Sequence, residues 1–453
     1  MIKAKSFRAK SYAIGGGAFG DEGKGKFTDT IATKLSKKNS LVVYRVNGGA
    51  NAGHTLEFDG IRIALHQIPC GAFINGATVI LGKGMVLHPD DLLEEIKLVK
   101  EASNNKIKSI IKIDSMATLA LDTHRSYEYV LKKWQTGSSG ATGRGIAPAY
   151  ADITLRQPLR MRDLQSKNWE KFSQHYDLYS KQISGLDEDM SLIEVPTLNK
   201  GAIKVGTKDQ FISRLKESQK QLAPLIEDVY EFIKNTWNNK KYAYIFEMAQ
   251  AVGLDPRYGV YPDVTASDTT FASITASTEG IVDFNTIQHR ISTIKATYMS
   301  SVGSRKLPTL ITNELATKIR DDAKEYGATT KRPRDIAYID LPALRFYQQV
   351  GGVNEIAITH MDIVYPNTPI KICTDYQING KSVDYRPDQE WLDLVTPIYL
   401  ELPTWDQNKI SSATTYDQIP PTAKKYLKLI SKDLKLPVTM ISNGPRREQI
   451  VEI

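Results

Sequence analysis

The sequence predicts an α/β fold, a single large domain (1–453) around a mainly parallel central β-sheet with helical insertions. Apolar, β-branched runs repeatedly end in glycine-rich turns and lead into helix-patterned stretches, the alternation that parallel sheets require. No internal repeat, low-complexity tract or clean linker divides the chain. With 453 residues, 41% apolar and 24% charged, it can bury a large core.

The first strand runs into SYAIGGGAFGDEGKGKFTD (Ser11–Asp29), where Gly15, Gly16, Gly17, Gly20, Gly23 and Gly25 crowd one turn. Such a turn brings backbone N–H groups close to an anion at the start of a helix, here read as Phe27–Leu35. Gly20, Gly25 and Lys26 keep the G-x-x-x-x-G-K spacing of a P-loop, but Phe27 replaces the Mg²⁺-binding hydroxyl. Asp21 and Glu22 stand inside the cradle, where a carboxylate is costly unless it binds metal or moves a proton.

LVVYRV (Leu41–Val46) reads as a buried strand ending in a second glycine-rich turn, NGGANAGHT (Asn47–Thr55). His54 in that turn is the side chain suited to proton transfer near neutral pH. TVILGKG (Thr78–Gly84) is a strand, Pro89 and Asp90 open a helix, and Ser109–Asp114 is a further strand. His66, His88, His124, His175 and His289 carry no motif and read as structural or surface residues. Gln135–Ile153 is rich in Gly, Ser and Thr, a loop that can wrap phosphate while Arg144 supplies charge.

About 163–240 is a mostly helical, polar subregion in which Pro224 bends or splits a long helix, and about 183–208 reads as an insertion. Tyr242–Glu247 restores a strand, followed by Gln250 and Thr265 as candidate base and phosphate contacts. Arg332 and Arg334 in Gly327–Ile336 suit carboxylate or phosphate recognition. Glu355–Asp362 is a strand ending in an acid, and Pro437–Glu448 is the last strand and loop.

Lys+Arg 59 against Asp+Glu 51 gives a net charge of +8, spread without an Arg-rich tail or Lys block. This fits anionic small substrates, and no nucleic-acid-reading module is present. Cys70 and Cys373 are too far apart in sequence to suggest a disulfide framework or zinc site. No run reaches the roughly 18 apolar residues of a membrane span, so no membrane partner is expected and a reducing, cytoplasmic compartment is.

GDEGKGK (Gly20–Lys26), NAGHT (Asn51–Thr55), TGRGIAPAY (Thr142–Tyr150), the series Glu247, Gln250, Tyr261-Pro262, Val264-Thr265, then GATT (Gly327–Thr330) and T-x-x-D (Thr359–Asp362) follow in order over nearly the whole chain. Together they resemble adenylosuccinate synthetase, the family that joins IMP to aspartate using GTP. The resemblance implies a P-loop-related α/β domain, usually a homodimer, with Mg²⁺ as cofactor. It implies Asp21 as the base at N1 of IMP and a Mg²⁺ ligand with the Gly53 carbonyl, His54 as the acid in γ-phosphate transfer, and Lys24 on phosphate. Asn51 and Gln250 would lie beside the purine, with Thr142, Thr265 and the partner subunit's Arg156 on the IMP phosphate. Thr329 and Arg332 would bind aspartate. Gly20, Glu22, Gly23, Lys24, Gly25, Lys26, Thr55, Arg334, Thr359, Asp362, Ser442 and Gly444 would bind GTP, with Asp362 on guanine.

The chain departs from the family pattern at both nucleotide pockets, with His360 where Lys is usual and GSRKLPTLI (Gly303–Ile311) replacing a familiar stretch. A viral branch acts on dGMP or GMP and typically replaces the base aspartate by a small residue, so Asp21 favours IMP. His360 leaves ATP open as the donor. A non-catalytic nucleotide-binding protein is the alternative of another class, against which Asp21 and His54 both stand.

Overall fold

Most of the central strands form where apolar and β-branched residues are buried on both faces, as a parallel sheet demands. The computed structural model describes residues 9–58, 61–134, 141–199, 201–301, 305–327 and 332–453, and of 55–58 and 61–62 the backbone alone. Among these, eleven strands make one sheet: β1 (Lys10–Gly16), β2 (Ser40–Gly48), β3 (Thr78–Leu87), β4 (Ile110–Asp114), β5 (Thr118–Leu119), β6 (Ile226–Glu227), β7 (Tyr242–Ala251), β8 (His289–Lys295), β9 (Glu355–Thr359), β10 (Val438–Ser442) and β11 (Ile450–Glu452). Their order is β6-β4-β3-β2-β7-β1-β8-β9-β10-β11, with β5 beside β3. Every pairing is parallel except the last, between β10 and β11.

Helix α1 (Lys24–Ser36) covers one face, burying Phe27, Ile31, Ala32 and Leu35 with Ile14, Val43 and Ile245 of the strands. It starts three residues earlier than the sequence suggests, because Gly23 in the left-handed region (φ 81°) serves as its N-cap and draws Lys24 into the first turn. Tyr44, Tyr244, Phe246 and Trp237 pack the other face. Helix α2 (Pro89–Ala102) opens at Pro89 as expected, capped by the His88 side chain, which accepts from the Asp91 N–H.

The helical subregion carries helices Met161–Gln165, Trp169–Ser184, Lys208–Leu222 and Tyr230–Trp237. Phe172, Tyr176, Phe211 and Leu215 share one core with Leu92 and Ile96 of α2. Pro224 neither bends nor splits a helix: the long helix ends at Leu222, and Pro224 sits in the 3₁₀ turn Ala223–Leu225 that follows. Within 183–208 the strands Glu194–Pro196 and Ala202–Lys204 form an antiparallel ribbon whose Val195 is buried in that core. A four-stranded sheet (Ile339–Asp340, Ile370–Ile378, Lys381–Val383, Thr396–Leu402) flanks the other end. No described helix is long and apolar enough to cross a membrane, and both cysteines are free and buried.

The glycine end of β1 approaches its neighbours too closely for side chains. A Cβ on Gly16 would stand 2.6 Å from Ala251 Cβ and 2.7 Å from the Gln250 carbonyl oxygen. Gly16→Ala is therefore expected to cost about 1–3 kcal/mol in urea unfolding. Gly185→Ala, where a Cβ meets nothing nearer than 3.5 Å and φ is −65°, should change stability by less than about 0.5 kcal/mol.

Candidate active site

All the central parallel strands point their C-terminal ends the same way, and the residues singled out in the sequence cluster there. The glycine loop follows β1, Asn51–His54 follow β2, Gln250 ends β7, Thr359–Asp362 close β9, and Ser442–Gly444 close β10. This is the crevice in which open α/β sheets bind ligands.

In the loop, Glu22 is not a ligand-facing acid. Its Oε1 accepts the N–H of Gly20 at 2.7 Å and of Ala18 at 3.2 Å, and Oε2 lies 3.5 Å from Lys24 Nζ, with both side chains buried. The carboxylate holds the loop's own amides, which is why it tolerates burial there. Thr359 is used the same way: its hydroxyl donates to the Glu22 carbonyl at 3.0 Å, and its side chain lies against Gly23, leaving no room for a Cβ there. Lys26 reaches across to the last loop, donating to Ser442 Oγ at 2.7 Å and to the carbonyls of Gly444 (2.5 Å) and Gln449 (3.0 Å). The Met361 N–H donates to the Ser442 carbonyl, which ties the Asp362 turn to the same cluster. Burial raises the Asp362 carboxyl above its ordinary range, with Lys26 opposing.

Asp21 occupies the mouth of the loop in the left-handed region (φ 55°), its side chain 41% exposed and ion-paired with Arg334. Gln250 (φ 56°), Arg156 (φ 62°) and His360 (φ 56°) share that conformation. A non-glycine residue held there costs of order 1 kcal/mol and tends to mark sites where geometry matters more than stability.

His54 is almost fully buried against a pair that sequence reasoning did not assign, Arg45 and Glu247. Glu247 Oε1 accepts from Arg45 Nη1 at 2.8 Å and contacts His54 Nδ1, while Oε2 accepts the Cys70 N–H at 3.0 Å. Burial and the adjacent Arg45 cation lower the His54 pKa to about 4, against the pull of Glu247, so the ring is neutral near pH 7. The signal that could have found this pair was a charge inside each apolar strand, Arg45 in LVVYRV and Glu247 ending YAYIFE.

Asn51 Oδ1, Gln250 Nε2 and Thr265 Oγ1 are buried without a hydrogen-bond partner among the described residues. Leaving such atoms unmet costs about 1–3 kcal/mol each, a debt a polar ligand removes. Gln250 Oε1 accepts from Ser267 Oγ at 3.2 Å, and the Thr265 N–H donates to the Leu254 carbonyl at 2.7 Å, so the amide oxygen of one and the backbone of the other are fixed while Gln250 Nε2 and Thr265 Oγ1 stay unmet. Tyr150 accepts the Gly48 N–H at 3.1 Å and donates to the Gly84 carbonyl, locking helix Ile146–Thr154, reached from Thr142, onto this turn. Arg144 is not offered to a phosphate: it is buried 3.5 Å from Asp91, which also pairs with Arg125. Arg156 and Arg332 are exposed, Thr329 lies outside the described residues, and so does the side chain of Thr55. His88, His124 and His175 are buried in hydrogen bonds to Asp122, Asp152 and Thr123, as their structural assignment requires.

Arg45 and Glu247 are register partners on adjacent strands and nothing else described neutralises either. Arg45→Met should lose about 3–5 kcal/mol in urea unfolding by stranding Glu247, and Arg45→Met/Glu247→Met should recover most of it.

A family model described as adenylosuccinate synthetase matches residues 13–451. The adenylosuccinate synthetase of Chlorobium limicola is 34% identical over 457 residues, covering 99% of this chain and 100% of the relative. The fully ligated adenylosuccinate synthetase of Plasmodium falciparum superposes with a TM-score of 0.82 at 29% identity, over 98% of this chain and 100% of that one. The cyanophage S-2L succinoaminodeoxyadenylate synthetase, bound to dGMP and dATP, shares the fold at a TM-score of 0.59 and 16% identity, over 98% and 96%. With its sheet, its loops and its sequence in agreement over almost their full length, this chain belongs to the adenylosuccinate synthetase family, the ligases that join IMP to aspartate using GTP.

Proposed function

We propose that the cleft performs this reaction through a 6-phosphoryl-IMP intermediate, with Asp21 and His54 as its base and acid. The observation that carries the reading is the set of unmet buried polar atoms on Asn51, Gln250 and Thr265, with a buried histidine in the turn that holds Asn51, groups that a polar purine nucleotide would satisfy.

The 6-oxo group of IMP is a poor leaving group, so phosphorylation must precede substitution. Asp21 takes the proton from N1, which sends electron density to O6. O6 attacks the γ-phosphorus of GTP and GDP departs. His54, neutral beside Arg45, gains basicity as anionic oxygens gather beside it and holds a proton on the bridging oxygen. The aspartate amine then adds at C6, and the C6–O bond breaks with loss of phosphate. Lys24, at the N-terminus of α1, faces the transferring phosphoryl group, and Arg332 the aspartate carboxylate.

Mg²⁺ takes oxygen ligands, and the partly exposed Asp21 carboxylate and the Gly53 carbonyl fit that preference. When bound it would neutralise charge on the transferring phosphate. The exposed, left-handed Arg156 follows Leu155, a large apolar side chain 62% exposed, which suits a homodimer in which Arg156 serves the partner subunit's IMP phosphate. Two free thiols suit a cytoplasmic setting. GTP is the donor that Asp362 suits, the Lys26, Ser442 and Gly444 cluster being its base pocket.

Chromatography of products from aspartate and Mg²⁺ with IMP, GMP or dGMP, each with GTP or ATP, tests the whole reading. Adenylosuccinate from IMP and GTP is expected, with kcat reduced at least about 100-fold in Asp21→Asn and His54→Asn. Product from dGMP or GMP alone would overturn the acceptor assignment. Leu155→Glu should weaken self-association in sedimentation and raise the KM for IMP together; a monomeric variant with unchanged KM would remove Arg156 from the partner's site.

A further inference from the structure

One buried acid lies behind the cleft without a role in the reaction above. Glu325 is 4% exposed and lies seven residues before Arg332 and nine before Arg334. Its Oε1 accepts from Tyr298 OH at 2.6 Å and from Lys295 Nζ, and its Oε2 lies 3.7 Å from Arg334 Nε. Lys295 also donates to Ser300 Oγ at 2.6 Å, and the Tyr298 ring stands 5.8 Å from that of His360. The backbone on both sides is paired: the Arg334 N–H donates to the Glu325 carbonyl at 3.0 Å, the Gly327 N–H to the Arg332 carbonyl at 2.8 Å, and Tyr326 bridges Pro333.

Arg334 is thus held between two carboxylates, Asp21 in front and Glu325 behind, and is buried, while Arg332 two residues earlier is exposed. Asp21 must leave this pair to act on IMP. When it does, Glu325 is the acid that still faces the guanidinium. Lys295 and Tyr298 hold Glu325 charged, its carboxyl pulled down to about 2 against the effect of burial.

We propose that Glu325 is a positioning residue for the donor nucleotide: it keeps Arg334 aimed at the GTP phosphates when Asp21 turns to the acceptor. This rests on the functional reading above, in which Arg334 contacts nucleotide and Arg332 contacts aspartate. Glu325 pairs with the first of these arginines, so its loss is expected to fall on the donor nucleotide.

The test is Glu325→Gln, which keeps shape and hydrogen bonding but removes the charge. Calorimetric titration with GTP and Mg²⁺ should show binding weakened about tenfold, as loss of a charge-assisted contact predicts. The KM for GTP should rise with it, while the KM values for IMP and aspartate stay within about twofold. Equal rises for GTP and aspartate would mean that Glu325 only braces the loop, and unchanged GTP binding would mean that it does neither; either overturns the proposal. If Glu325→Gln does not fold, Tyr298→Phe decides: removing one hydrogen bond from the carboxylate should weaken GTP binding about threefold, and no change overturns the assignment. An unaltered chain that makes no adenylosuccinate would defeat the functional reading, and the titrations would still judge Glu325 through GTP binding.

Discussion

The ion pair between Arg45 and Glu247 is the constraint on which the cleft depends. The two residues face each other across the parallel strands β2 and β7 at the middle of the sheet, both fully buried. Two charges at such a place are expensive to desolvate and survive because they neutralise one another. Their remaining valences are what make them useful: Glu247 anchors the Cys70 amide and the His54 ring, so the turn after β2 and the segment after Ile68 are set by one carboxylate. A hydrophobic pair would pack as well and would leave His54 free to rotate. The cost of the charges is the cost of holding one imidazole in one orientation.

The same trade recurs around the cleft. Asp21 and Gln250 are held with positive φ, and Asn51, Gln250 and Thr265 keep unmet polar atoms. Each is unfavourable by itself, and none would persist unless the surrounding sheet over-determined it. The rigid part is supplied by the glycines of β1, which let neighbouring strands come within contact of a bare backbone, and by Glu22 and Thr359, whose polar atoms are turned inward onto the loop itself. Rigidity in the cradle and unmet valence in the pocket are complementary: the first makes the second affordable.

Much of this was legible in the sequence, for reasons that differ by element. The parallel sheet was readable because its strands are uninterrupted apolar runs, and the cleft because glycine-rich turns follow them. Asp21 and His54 stand out in the sequence as polar residues inside such turns. What could not be read was how polar side chains divide between ligand and scaffold. Glu22 and Asp21 are adjacent in sequence, yet one is buried on its own loop and the other faces out. Arg144 looked available and is tied to Asp91, while Glu325 looked ordinary and lies at the centre of a buried network. These outcomes depend on partners tens to hundreds of residues away, which no local pattern contains.

The departure at Phe27 from the P-loop pattern now has a physical account. In this loop the residue after Lys26 is fully buried in the core beneath α1, packed with Ile14 and Ile245. A hydroxyl there would face apolar side chains and could not reach a metal at the loop mouth. The oxygen that a P-loop takes from its Ser or Thr must come from elsewhere, and Asp21 is the acid at that mouth with an exposed carboxylate. Because Asp21 precedes the helix, its charge lies outside the first turn, near the α1 amides that favour anions. In the proposed reaction that one carboxylate would serve both a cation and a proton, and its pairing with Arg334 balances its charge in the structure.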